Sequence, residues 1–220
     1  MPDAARYELI VFDWDGTLVD SPRAIVECIQ QASVELGLAV PAPEVASHTI
    51  GLGMHESLRI VAPELAPERY LEFAALYRKH FVLREDRMAL FSGVLELLAA
   101  LGARGRRLAV ATGKSRKGLD RALGATGTRR LFAATRCADE TRPKPDPAML
   151  LELMAELEVE PARTVMIGDT SHDLEMARRA GVDAIAVAYG AHPEQALRAL
   201  APRCCAASVR ALHEWLQAHG

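Results

Sequence analysis

Cysteine is scarce and unpatterned. The 220 residues contain four, Cys28, Cys137, Cys204 and Cys205, with no Cys-x-x-Cys pair among them. Adjacent Cys204-Cys205 makes a poor disulfide, so no disulfide framework is expected, and free thiols in a reducing cytoplasm are. Long apolar runs are also missing; none approaches the roughly 20 residues of a membrane span. Neither charge dominates: 26 Lys and Arg face 29 Asp and Glu, a formal net charge of -3. That balance gives no sign of a nucleic-acid surface. Local basic clusters such as Arg104-Gly105-Arg106-Arg107 and Arg129-Arg130 read as solvated helix ends and loops. The start, Met1-Pro2-Asp3, reaches an acid too early for a secretory signal, so a cytoplasmic protein is expected. There is no internal repeat and no low-complexity tract.

What is present is organised around Leu9-Ile10-Val11-Phe12-Asp13-Trp14-Asp15-Gly16-Thr17. An apolar strand drives into two aspartates one residue apart. In a strand, residues i and i+2 share a face, so Asp13 and Asp15 project together with Trp14 opposite. Two carboxylates that close need a cation between them or a proton on one.

The rest of the chain alternates strands and helices. Tyr7 to Phe12 reads as a buried strand. Ser21 and Pro22 then read as N-cap and first residue of a helix. From there to about Met88 the pattern is helical throughout, interrupted at Ile50-Gly51-Leu52-Gly53-Met54. The expected strands after it are Leu108 to Ala111, Leu131 to Cys137, Thr164 to Ile167 and Ala184 to Ala188. Helices fall at Val94 to Leu101, Arg116 to Leu123, from Asp146-Pro147 onward, and from Asp173 to Ala180. A last helix carries Val209, Leu212 and Leu216. This order predicts an α/β fold: a Rossmann-like parallel-sheet core, residues 1–20 and 89–220, with helices on both faces. An all-helical cap, residues 21–88, is inserted in it.

Parallel sheets bind ligands beyond the carboxyl ends of their strands. Asp13/Asp15, Thr112-Gly113-Lys114 and Asp169/Asp173 all fall at such ends. Asp13, Asp169 and Asp173, with the Asp15 carbonyl, make an oxygen-rich set suited to Mg²⁺. The Thr112-Gly113-Lys114 turn opens a helix and offers N–H groups and a hydroxyl to an anion. Lys144, among prolines, supplies a point charge that balances a carboxylate and a phosphoryl group. Phosphoryl transfer needs mainly this positioning and charge stabilisation. Asp13 can then attack as a nucleophile and Asp15 serve as acid and base, its pKa raised by proximity to Asp13 and burial under a lid. His172 borders the site without a catalytic role. The other six histidines show no ligand spacing and read as surface or satisfied core.

Phe12-Asp13-Trp14-Asp15-Gly16-Thr17-Leu18, Thr112 with Gly113, Lys144 in Lys-Pro, and Gly168-Asp169 with Asp173 resemble, in order, the four motifs of the haloacid dehalogenase-like (HAD) hydrolase superfamily. The helical insert resembles the cap of the subfamily holding phosphoglycolate phosphatases and beta-phosphoglucomutase. The resemblance implies Mg²⁺ and aspartyl-phosphate chemistry on a small phosphomonoester, phosphoglycolate-like or a sugar phosphate. Asp13 is both nucleophile and metal ligand, Asp15 acid/base and carbonyl ligand. Thr112, Gly113 and Lys144 hold the phosphoryl group, and Asp169 binds metal. Asp173 acts through water or by anchoring Lys144. Dehalogenases lack the second aspartate, because a halide leaves without a proton, so Asp15 favours a phosphatase. A phosphomutase shares all four motifs. A receiver-type signalling module fits less well, since the nucleophile here ends the first strand and a large insert follows it. The loop at Ile50 to Glu56 is the expected reach of the cap toward the core.

Overall fold

The computed structural model describes residues 6–85 and 88–220. The reading of Met1-Pro2-Asp3, and residues 86–87 of the expected cap, lie outside them.

Six parallel strands form one sheet in the order β3-β2-β1-β4-β5-β6. They are β1 (Leu9–Phe12), β2 (Arg107–Thr112), β3 (Ala134–Cys137), β4 (Thr164–Gly168), β5 (Asp183–Val187) and β6 (Cys204–Ala206). The central strands are apolar on both faces because both are covered. Tyr7, Ile10, Phe12, Val110, Ile167 and Ile185 pack on one face with α5 (Val94–Ala103) and α10 (Val209–His219). Leu9, Val11, Ala109 and Met166 pack on the other with α7 (Ala148–Leu157) and α8 (Ser171–Ala180). α6 (Arg116–Thr126) follows β2, and the short α9 (Glu194–Arg198) precedes β6.

Strand β1 is central, and the chain leaves it first toward β2 and β3, then returns on its other side at β4. This reversal opens a crevice at the carboxyl ends of β1 and β4, where ligands bind in such sheets.

Between β1 and β2 run α1 (Pro22–Glu35), α2 (Pro43–His48), α3 (Met54–Val61) and α4 (Tyr70–Val82). They bury a cluster of their own, including Ile25, Ile29, Leu58, Val61, Tyr70, Phe73 and Phe81. α1 and α4 are the main pair, and their apolar stripes meet at helical spacing.

Several local expectations are corrected. Ser21 stands at the N-cap of α1 but makes no cap bond, because its hydroxyl is drawn to Asp15. α7 begins at Ala148, one turn position later than expected, with Asp146 Oδ1 accepting from Ala148 N. α8 begins earlier, at Ser171, because Thr170 and Asp173 form a reciprocal capping box. β3 is shorter, since Arg129–Leu131 form a 3-10 turn. β6 and α9 were not expected: Cys204-Cys205-Ala206 is a three-residue edge strand with no alternating pattern. All four cysteines are free.

Candidate active site

Asp13 extends the ladder one residue past β1, with its N–H donating to Ile167 O at 2.9 Å. The chain then turns sharply, and Leu18 and Val19 both donate to Trp14 O. Gly16 takes φ +81°, a conformation costly for other residues, and a Cβ there would fall on the Asp169 carboxylate. Trp14 points the other way into the core, edge-on to Phe132 at 6.3 Å. Asp13 and Asp15 line one cavity of about 270 Å³ with Thr112, Gly113 and Lys114.

Lys144 is fully buried, with its Nζ 2.5 Å from Asp13 Oδ1 and 2.6 Å from Asp173 Oδ1. It stands behind Asp13 rather than in the cavity wall. Asp173 Oδ2 accepts from Thr170 N and from Thr170 Oγ1 at 2.7 Å, so this aspartate anchors both the lysine and the start of α8. Asp169 accepts from Thr17 Oγ1 at 2.8 Å and from Ala191 N at 2.7 Å.

Burial pushes the Asp13 carboxyl up to about 7; Lys144 works against this, and Asp173 and Asp15 add to it. Asp169 is raised well above the usual carboxylate range by burial, then by Asp13 and Asp173. Burial works downward on Lys144, but the Asp13 and Asp173 carboxylates outweigh it and raise it above the ordinary lysine value. The trio Asp13, Asp169 and Asp173 brings carboxylate oxygens within 4.8 Å of one another. Asp13 Oδ2 is buried without a hydrogen-bond partner among the described residues. A buried carboxylate oxygen left so is costly. With all three acids ionised, one lysine leaves two negative charges uncompensated. Oxygen donors, surplus charge and an open lone pair all fit a hard divalent cation.

Asp15 has partners of its own. Both its oxygens accept from Lys114 Nζ, at 2.8 and 2.9 Å, and Oδ1 also accepts from Ser21 Oγ at 2.7 Å. Each aspartate of the pair therefore has its own lysine. The sequence placed Lys114 in an anion-binding turn but gave no sign of this bond, which spans 99 positions. Lys114 Nζ also lies 4.5 Å from the centre of the Phe81 ring, joining β2's end to α4. Thr112 Oγ1 accepts from Lys114 N at 3.2 Å, leaving its own proton to give.

The Ile50 to Met54 segment does reach the core. A Cβ on Gly113 would lie 2.6 Å from Gly51 O and 2.9 Å from Leu52 O, so only hydrogen at position 113 lets the loop lie on the Thr112-Gly113 turn. Gly51 also faces Thr170, and Gly53 faces Pro143.

A histidine cluster escaped the sequence reading. His48 from α2, His172 from α8 and His192 after β5 bring ring nitrogens within 4.8 Å. Both His172 Nε2 (2.8 Å) and His192 Nε2 (3.2 Å) meet His48 O, and Ser171 N donates to His192 Nδ1. With that acceptor role fixed, His192 carries its proton on Nε2, so the carbonyl at the end of α2 is held by imidazole N–H groups from the core. The three residues come from separate segments, with no spacing that links them.

A switch-point crevice holding buried acids, a buried lysine and a strand-to-helix anion turn defines a hydrolase of the phosphate-handling type. Residues 10–187 match the haloacid dehalogenase-like hydrolase family, and the chain belongs to it. It is 37% identical over 201 residues to Probable phosphatase IndB of Dickeya dadantii, covering 89% of this chain and 87% of that protein. It is 38% identical over 187 residues to Tyrosine-protein kinase PtkA of Mycobacterium tuberculosis, covering 83% of this chain and 62% of that one. Phosphoglycolate phosphatase of Aquifex aeolicus is 32% identical over 190 residues, covering 83% and 85%. Among solved structures, a haloacid dehalogenase-like hydrolase from Bacteroides fragilis superposes with a TM-score of 0.86 at 27% identity, over 94% of this chain and 99% of that one.

Proposed function

We propose that the chain is a Mg²⁺-dependent phosphatase of small phosphomonoesters, working through an aspartyl-phosphate on Asp13. The observation that carries this reading is Asp13 itself: a carboxylate on the cavity, with one oxygen on Lys144 and the other uncommitted. Relatives named as phosphatases across most of their length support it.

Asp13 and Asp169, with the Asp15 carbonyl, would hold Mg²⁺. Bound there, the ion would neutralise charge on the carboxylates and on the phosphoryl oxygens. Thr112 Oγ1 and the N–H groups of the Gly113 turn orient the phosphate. Lys144, fixed by Asp173, aligns the Asp13 carboxylate for attack on phosphorus. As the P–O ester bond breaks, Asp15 gives its proton to the leaving alkoxide, then takes one from the water that hydrolyses the acyl phosphate. For that exchange Asp15 leaves Lys114 for the leaving group. Residues 21–88 act as the cap that covers this chemistry, and their loop on Gly113 excludes water until the alcohol departs.

The test is hydrolysis of 4-nitrophenyl phosphate with Mg²⁺. Asp13→Asn is expected to abolish turnover with the thermal midpoint kept. Undiminished activity after exhaustive chelation would overturn the reading. Preferential transfer of phosphate to a second sugar over water would mark a mutase instead.

A further inference from the structure

The cavity has two unlike ends. Its floor is Asp13, Thr112 and Gly113; its walls come from the helical insert. α1 contributes Ile25 and Ile29, α3 Leu58 and Val61, α4 Phe73 and Phe81. These pairs recur at spacings of three, four and eight, so each helix turns its apolar stripe toward the same space.

Most polar side chains among the walls are already engaged. The Thr49 hydroxyl donates to Ala46 O at 2.8 Å and the Ser57 hydroxyl to Thr49 O at 3.3 Å. Lys114 is on Asp15, and Arg121 pairs with Glu85 at 2.6 Å. Arg78 and Lys117 also line the cavity, exposed at its mouth and without a partner among the described residues. Among the less exposed polar side chains, Tyr77 is the exception. Its ring lines the cavity, its hydroxyl makes no hydrogen bond among the described residues, and burial, then the nearby Asp15 and Cys28, raise its pKa well above the usual phenol value.

A leaving group held between these helices meets mainly aliphatic and aromatic walls and one free phenol, with the Arg78 and Lys117 cations at the mouth. A hydroxyl buried without a partner is opposed. An apolar surface is favoured. A polyol would leave most of its hydroxyls unmatched against these helices, and a carboxymethyl group would leave most of the apolar wall uncovered.

Resting on the phosphatase reading, we propose that the substrate is the phosphomonoester of an apolar, ring-sized alcohol, bearing at most one polar group, which meets Tyr77. Sugar phosphates and phosphoglycolate are poor fits to these walls.

The experiment compares kcat/KM with Mg²⁺ for cyclohexylmethyl phosphate, glucose 6-phosphate and 2-phosphoglycolate, all esters of a CH₂–O group. The first should exceed each of the others by about 100-fold. Equal or reversed values overturn the proposal. Calorimetric binding of the matching non-hydrolysable phosphonates runs alongside. The cyclohexyl analogue should bind at least about tenfold tighter, with a more negative heat-capacity change. If no ester turns over, the phosphatase reading falls. The preference for the apolar phosphonate then still decides the cavity's selectivity: kept, it upholds the inference; absent, it ends it. Val61→Thr, nearly isosteric, should narrow the cyclohexyl-to-glucose ratio severalfold, and an unchanged ratio counts against the wall assignment.

Discussion

Lys114 holds both oxygens of Asp15 while its ammonium rests on the face of Phe81. One side chain thus ties the proposed acid/base residue to a helix of the insert. Asp15→Asn should slow an alkyl phosphate by about 10²–10⁴-fold. It should slow 4-nitrophenyl phosphate far less, because nitrophenolate leaves without a proton. Lys114→Met keeps the packing on Phe81 and removes the charge; about a tenfold fall in kcat is expected, with a lowered thermal midpoint because the nearly buried Asp15 loses its ion pair. Steady-state kinetics on the two esters checks both variants.

The buried acids couple metal binding to pH. Asp13 titrates near 7 in the fold, against 3.8 as the ordinary value, and Asp169 is also raised. Between those limits the folded, metal-free protein holds protons that the unfolded chain has released. Its stability therefore falls as pH rises from about 4 to about 7. A bound cation requires the carboxylates ionised, so Mg²⁺ should raise the melting temperature more at pH 8 than at pH 5, and its binding should release protons. Calorimetry in buffers of different ionisation enthalpy measures that release.

The histidine cluster runs the other way. Burial, with His172 adding to it, pushes His192 down from 6.5 to about 4, and burial lowers His172 too. The unfolded chain takes up the proton that the folded His192 refuses, so stability is lost as pH falls from 6.5 toward 4. At pH 5 the loss from His192 is about 2 kcal/mol. Urea titrations at pH 7 and pH 5 should show that difference shrink in His192→Gln. Comparing the variant with the parent at each pH cancels the opposite slope from Asp13.

Gly113→Val should displace the loop that lies on it. Its side chain would meet backbone carbonyls of Gly51 and Leu52 rather than a yielding side chain. A fall in kcat/KM of about 10²-fold is expected, with the core sheet intact by circular dichroism.

The fold was legible because its signals are local. Central strands buried on both faces read as apolar runs, and Asp13, Thr112 and Asp169 follow such runs directly. The edge strand β6 was not legible: two cysteines and an alanine carry no periodicity, and its place follows from pairing with β5. At the site, the residue types and their order could be read. Which lysine meets which aspartate could not, because Lys114–Asp15 and Lys144–Asp13 are set by chain folding across 99 and 131 positions. The contact of His172 and His192 with His48 O escaped for the same reason.

Asp169 is enclosed by two glycines, Gly16 before it in the chain and Gly190 after it, and a Cβ on either would fall on its carboxylate. Gly190 belongs to no motif, and nothing in its local sequence marks it as special. In a library of all single substitutions, position 190 should nonetheless behave like an active-site position, tolerating no side chain, while its neighbour Tyr189 accepts other aromatics. Mutational tolerance here is thus set by distance to one carboxylate rather than by membership of a motif.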